Sequence, residues 1–204
     1  MSEAPPTDFD ARAQHWDDAA KVRRAEQVAA AVRRAVELTP SMKALEYGAG
    51  TGLLSFALRG AIGPITLADS SAGMRAVAER KIAAANAADL RVIDLDLTRD
   101  PLPAERYDLI FSMMTLHHVA DVPRLFGVFH SMLNAGGWVF LADLDSEDGS
   151  FHGPDVQVHH GFARAELRSW LAAAGFQDAA VGDCCTLEHH GRTYSVFLAT
   201  ARKS

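Results

Sequence analysis

Ala44-Leu-Glu-Tyr-Gly48-Ala-Gly50-Thr-Gly52-Leu-Leu54 is the stretch that decides the fold. A short apolar run enters it and an apolar helical run leaves it. Three alternate glycines lie between. Glycine has no β-carbon, so the backbone there turns tightly and lets a ligand approach. In a sheet of parallel strands this loop falls at the carboxyl end of a strand, where ligands bind. A dinucleotide fingerprint needs glycine or alanine three residues after the second glycine, and Leu53 stands there. A phosphate loop needs Gly-Lys-Ser/Thr, which is absent.

Outward from the loop, strand and helix patterns alternate. Met42–Tyr47, Ile65–Asp69, Leu90–Asp96, Tyr107–Met113 and Trp138–Asp143 read as strands. Helical runs separate them at Leu53–Arg59, at Ser71 to about Asn86, and at Val122–Leu133, with Asn134-Ala-Gly-Gly137 as a turn. This order predicts an α/β fold with a mostly parallel sheet covered on both faces. A helix follows at Ala163–Ala174. Two further strands, Ala179–His189 and Thr193–Ala201, flank His190-Gly191-Arg192 as a terminal antiparallel hairpin, which makes seven strands.

Upstream, residues 1–7 read as a frayed tail and Asp8–Leu38 as helix in two pieces. Val22, Ala25, Val28, Ala29, Val32 and Val36 form one apolar stripe. The expected division is therefore 1–40, a tail and helices packing on the domain, and 41–204, the domain itself. Residues 144–160 form a polar loop holding His152, His159 and His160.

The chain has 204 residues, 49% of them hydrophobic, a composition that suits one folded domain. No apolar run is long enough to span a bilayer, and no secretory leader is read at the N-terminus. There are 20 basic and 26 acidic residues, and the basic ones are dispersed. Lys21-Val-Arg-Arg24 reads as a solvated helix face, and nucleic acid is not an expected partner. Cys184 and Cys185 are adjacent and offer no disulfide framework, which agrees with a cytoplasmic protein. Neighbours on a strand face opposite ways, so Cys184, Cys185, His189 and His190 make no zinc pattern, and no metal is expected.

The glycine loop, with Glu46 two residues before it, resembles motif I of the class I S-adenosylmethionine-dependent methyltransferases. Tyr107–Val119 resembles the fourth-strand motif of the small-molecule branch, including Leu116-His-His-Val119, and Leu133–Leu141 resembles the next motif. His159-His-Gly-Phe-Ala-Arg-Ala-Glu-Leu167 and Tyr194-Ser-Val-Phe197 resemble a bacterial group of the family. The resemblance implies a doubly wound Rossmann-like sheet, an N-terminal helical lid carrying Phe9, His15 and Trp16, and S-adenosyl-L-methionine as cofactor. The implied cofactor contacts are Glu46 toward the methionine end, Gly48, Ala49 and Gly50 in the loop, and Asp69 on the ribose. Ser70 and Met74 would pack on the adenosyl group, Asp96 and Leu97 would read adenine, and Met113 would border the methyl. Asp94 remains an alternative adenine reader. The site where base methyltransferases carry Asn/Asp-Pro-Pro-aromatic reads Ser112-Met-Met-Thr115 here, so a small-molecule O, N, S or C acceptor is expected. His118 and His160 are the candidate catalytic side chains. A nucleotide-dependent oxidoreductase and a non-catalytic cofactor-binding relative are the alternatives.

Overall fold

The computed structural model describes residues 9–153 and 156–204. The expected tail at 1–7 and helix start at Asp8 lie outside them. Seven strands form a single sheet in the order β3-β2-β1-β4-β5-β7-β6. They are β1 (Ala44–Tyr47), β2 (Ile65–Asp69), β3 (Leu90–Asp94), β4 (Tyr107–Met113), β5 (Leu133–Leu144), β6 (Gln177–His189) and β7 (Arg192–Arg202). β1 runs parallel to both β2 and β4, and β5 continues the parallel set. β7 is antiparallel to β5 and β6.

Alternation along the strands builds two cores. On β4, Ile110 enters one, while Leu109 and Phe111 enter the other; an irregularity between Tyr107 and Leu109 turns Tyr107 to the Ile110 side. The first core packs against α5 (Val122–Met132) and α6 (Arg164–Ala173) through Phe126, Phe129 and Leu171. The second packs against α2 (Ala19–Ala35) and α3 (Leu53–Leu58) through Val28, Val32 and Leu54. A small helix α1 (Phe9–Arg12), continued by a 3-10 turn over Ala13–His15, precedes α2, and α4 (Ala72–Ala84) links β2 to β3.

The chain order reverses between β1 and β4. Their following segments leave for opposite faces and open a crevice at the strand ends. Among the described residues no helix is long and apolar enough to cross a membrane.

Several boundaries differ from the sequence expectation. α2 stops at Ala35, because Val36 is already extended, before Pro40 is reached. Val22 is exposed, unlike the rest of its stripe. The solvated-face reading of Lys21 and Arg24 is also corrected. Their three-residue spacing places both on the wall of the crevice, while Arg23 is exposed.

The expected turn at Asn134–Gly137 lies inside β5. Gly136 adopts a left-handed φ of 76°, its N–H donates to Lys203 O, and Lys203 N–H donates to Gly137 O. The hairpin turn has two residues, His190 and Gly191, with φ of 49° and 73°, and Arg192 already pairs with His189. Two positive φ values match the right-handed twist of the paired strands.

Candidate active site

The crevice floor is the loop after β1. Gly48, Gly50 and Gly52 all have positive φ, at 67°, 54° and 82°. Their roles differ. A Cβ on Gly48 would lie 2.2 Å from Thr115 Cγ2, and one on Gly52 would lie 2.6 Å from Leu67. Both positions are fixed by protein packing. Only Gly50 faces open space, with Trp16 Nε1 and Met74 Sδ nearest at 3.8 and 3.9 Å. The sequence reading assigned the room at all three glycines to a ligand, and that is corrected for Gly52. Ala49 and Gly48 also line the crevice.

Asp69 closes β2 beside this loop. Its Oδ2 accepts the Gly50 N–H at 2.7 Å and its Oδ1 accepts the Ser71 N–H at 2.9 Å. Burial raises its pKa despite those two donors. The helix cap proper is Ser71, whose Oγ accepts the Met74 N–H. Ser70 and Met74 line the same wall.

Glu46 is 2% exposed at the end of β1, and both the N–H and Oγ–H of Ser55 donate to its Oε2. Burial pushes its pKa up to about 8, against the pull of those donors.

The loop after β3 sends the two neighbouring acids different ways. β3 ends at Asp94, so the alternation that would put Asp94 and Asp96 on one face no longer applies. Asp94 points outward to Arg75 at 2.9 Å. Asp96 lines the crevice and accepts the Thr98 N–H and Oγ–H. Leu97 is corrected: it is buried in the core, and Leu95 reaches the crevice instead.

The opposite wall is the turn after β4. Ser112 Oγ–H donates to Tyr47 O, which ties β4 to β1. Met113, Met114, Thr115 and His118 line the crevice. His118 stands at the rim, and burial, with His117 and His152 beside it, pushes its pKa down to about 3.

The N-terminal segment crosses the opening. Phe9 stacks edge-on against both Trp16 and His118. Asp10 accepts from Gly73 N–H and Ser71 Oγ–H, and Lys81 reaches Asp17 at 2.7 Å. Phe9 and Trp16 line the crevice, whereas His15 is exposed. Arg24 was missed as a site residue. It lines the crevice with a buried Nε that has no hydrogen-bond partner among the described residues.

The loop histidines separate. His160 is exposed, packs against Gly149 and does not line the crevice, so its catalytic candidacy is withdrawn. His159 braces the loop, its backbone N–H donating to His117 O and its ring bonding to Val119 O. Arg164 forks onto Asp145 with two contacts of 2.6 Å. None of the described residues of that segment lines the crevice.

A family model described as a methyltransferase domain matches residues 20–181. The ubiquinone biosynthesis O-methyltransferase of Leptothrix cholodnii is 29% identical over 146 residues, covering 67% of this chain and 60% of that protein. The chain spans 3% to 60% of the length of the curated relatives it matches. Among solved structures, the complex of the Haloferax volcanii Trm112 methyltransferase activator with a methyltransferase matches with a TM-score of 0.78 at 19% identity, covering 95% of this chain and 96% of that one. The magnesium protoporphyrin IX methyltransferase of Synechocystis, solved with S-adenosylhomocysteine, matches with a TM-score of 0.70 at 20% identity, covering 91% and 84%. At these identities the two structures share the fold.

Proposed function

The chain belongs to the methyltransferase domain family, and from that premise we propose that it binds S-adenosyl-L-methionine in the crevice and moves the sulfonium methyl to a nucleophilic atom of a small molecule. The observation that carries this reading is the Asp69 carboxylate, half-buried at the end of β2 and tied to the one open glycine of the loop. A carboxylate so placed accepts from a ribose diol. Asp96 sits where an adenine amino group would donate. Glu46 lies toward the methionine end and offers its carboxylate to the amino group. Ser70, Met74 and Met113 provide the packing surface between them.

The bound sulfonium carries an activated methyl. The chain's own task is alignment and exclusion of water. Phe9 and Trp16 cover the opening and do the second. The turn Met113–Thr115 lines the crevice and would border the methyl, which gives it the first task. His118 stands uncharged at the rim, and with its pKa pushed down to about 3 it is too weak a base to take an acceptor's proton, so its candidacy as a general base is not carried forward.

Thermal shift with S-adenosylhomocysteine and, separately, with NAD tests the reading. At a ligand concentration 100 times the dissociation constant the first ligand should stabilise by about 2.7 kcal/mol. A response to NAD alone overturns the proposal.

A further inference from the structure

We propose that His117, His118 and His152 form a three-histidine site for a divalent transition metal behind the crevice wall that His118 lines. Their ligand nitrogens all lie within 4.8 Å of one another. The ring centroids are 4.2 Å apart for His117 and His118, 4.9 Å for His117 and His152, and 5.2 Å for His118 and His152. Tetrahedral zinc with nitrogen ligands at ~2.0–2.1 Å needs them roughly 3.3 Å apart, which leaves on the order of an ångström for side-chain rotation to close.

Two further observations point the same way. His117 Nδ1 lies 2.6 Å from Asp143 Oδ1 in a wholly buried pair. Leu144 N–H also donates to Asp143 Oδ1, at 2.8 Å, which fixes the carboxylate. With Nδ1 turned to that carboxylate, Nε2 is the His117 ring nitrogen left for a metal. A carboxylate behind a histidine is the support that metal-binding imidazoles recurrently have. The second observation is His152 Nε2, which is buried with no hydrogen-bond partner among the described residues. A buried polar nitrogen left unpaired is costly, and coordination would satisfy it.

The donor set is all imidazole. That disfavours calcium and magnesium, which take oxygen ligands, and suits zinc, cobalt, nickel or copper. Three protein ligands leave one tetrahedral position for an exogenous donor. His118 also lines the crevice, so a thiol, hydroxyl or amine held by the metal would lie beside the cofactor pocket. This last use of the metal rests on the proposed methyl transfer. The site itself does not.

The test uses the tag-free full chain, stripped with a chelator and titrated with zinc against a chromophoric chelator. Wild type is expected to take up a single equivalent. His118→Ala and His152→Ala should each weaken uptake roughly tenfold or more, and Asp143→Asn should weaken it by about 10–100-fold. Cobalt substitution should give the visible absorption of a tetrahedral nitrogen site, and His152→Ala should remove it. Melting curves of the metal-free proteins show that each variant folds. Absence of zinc uptake by wild type, or uptake by folded His118→Ala and His152→Ala as tight as that of wild type, overturns the site. Titration of the same metal-free protein with S-adenosylhomocysteine reads the methyltransferase proposal separately. Zinc uptake without homocysteine-derivative binding keeps the metal site and removes that proposal, whereas the converse removes the metal site alone.

Discussion

Asp69 Oδ2 accepts the backbone N–H of Gly50 at 2.7 Å, so the carboxylate after β2 and the glycine loop after β1 are locked to each other. The other oxygen holds Ser71 N–H at the start of α4. One side chain thus orders both edges of the crevice.

Replacing Asp69 with Ala should weaken S-adenosylhomocysteine binding by about 10–100-fold, the range for lost hydrogen bonds to a charged group. Asn should lose less, since one amide oxygen still accepts. Calorimetric titration of the three proteins measures it. Equal affinities would show that the ribose is not held here.

Glu46 gives a pH signature. Its folded pKa lies near 8, above the ordinary 4.5, chiefly through burial. The folded state therefore holds this proton more tightly than the unfolded chain does. The stability linked to it is complete below about pH 4.5 and is lost as pH rises through 8. The melting temperature of the ligand-free protein should fall from about pH 5 to about pH 8 and level off above it, and Glu46→Gln should flatten that fall. If a cationic amino group binds beside Glu46, affinity for S-adenosylhomocysteine should rise with pH toward 8, by up to about tenfold per unit.

Gly48→Ala should destabilise the apo protein. The left-handed conformation costs an alanine about 1–2 kcal/mol, and the new methyl meets Thr115 Cγ2 at 2.2 Å. Thr115→Gly in the same chain removes the three atoms nearest that methyl and should recover the contact part of the loss. A double-mutant cycle in urea measures the coupling. Additive effects would mean that the turn after β4 moves away freely.

Asp10→Ala should loosen the N-terminal cover, because Asp10 holds both Gly73 N–H and Ser71 Oγ–H. Faster dissociation of S-adenosylhomocysteine is expected, with little change in association rate. Stopped-flow fluorescence of Trp16 follows both rates. Unchanged dissociation would mean that Phe9 and Trp16 do not gate the crevice.

Chain-local patterns carried much of the fold. Alternating strand and helix periods marked every strand and the hairpin, because the period of burial is written into neighbouring residues. The glycine loop and Asp69 were legible for the same reason: each sits at a strand end and declares itself by residue type. Leu97 was misplaced because two adjacent loop residues divide between core and crevice, and only the packed sheet chooses which. Arg24 looked solvated because its charge is local information and the wall opposite it is not.

The order of β1 and β4, and hence the crevice between them, follows from a sequence whose alternation permits few other windings. What tertiary structure alone decided is the company each histidine keeps. His117 and His118 follow β4, His152 belongs to a distant loop, and Asp143 ends β5. They meet because parallel β4 and β5 deliver their carboxyl ends to the same side of the sheet, where the loop folds back over them.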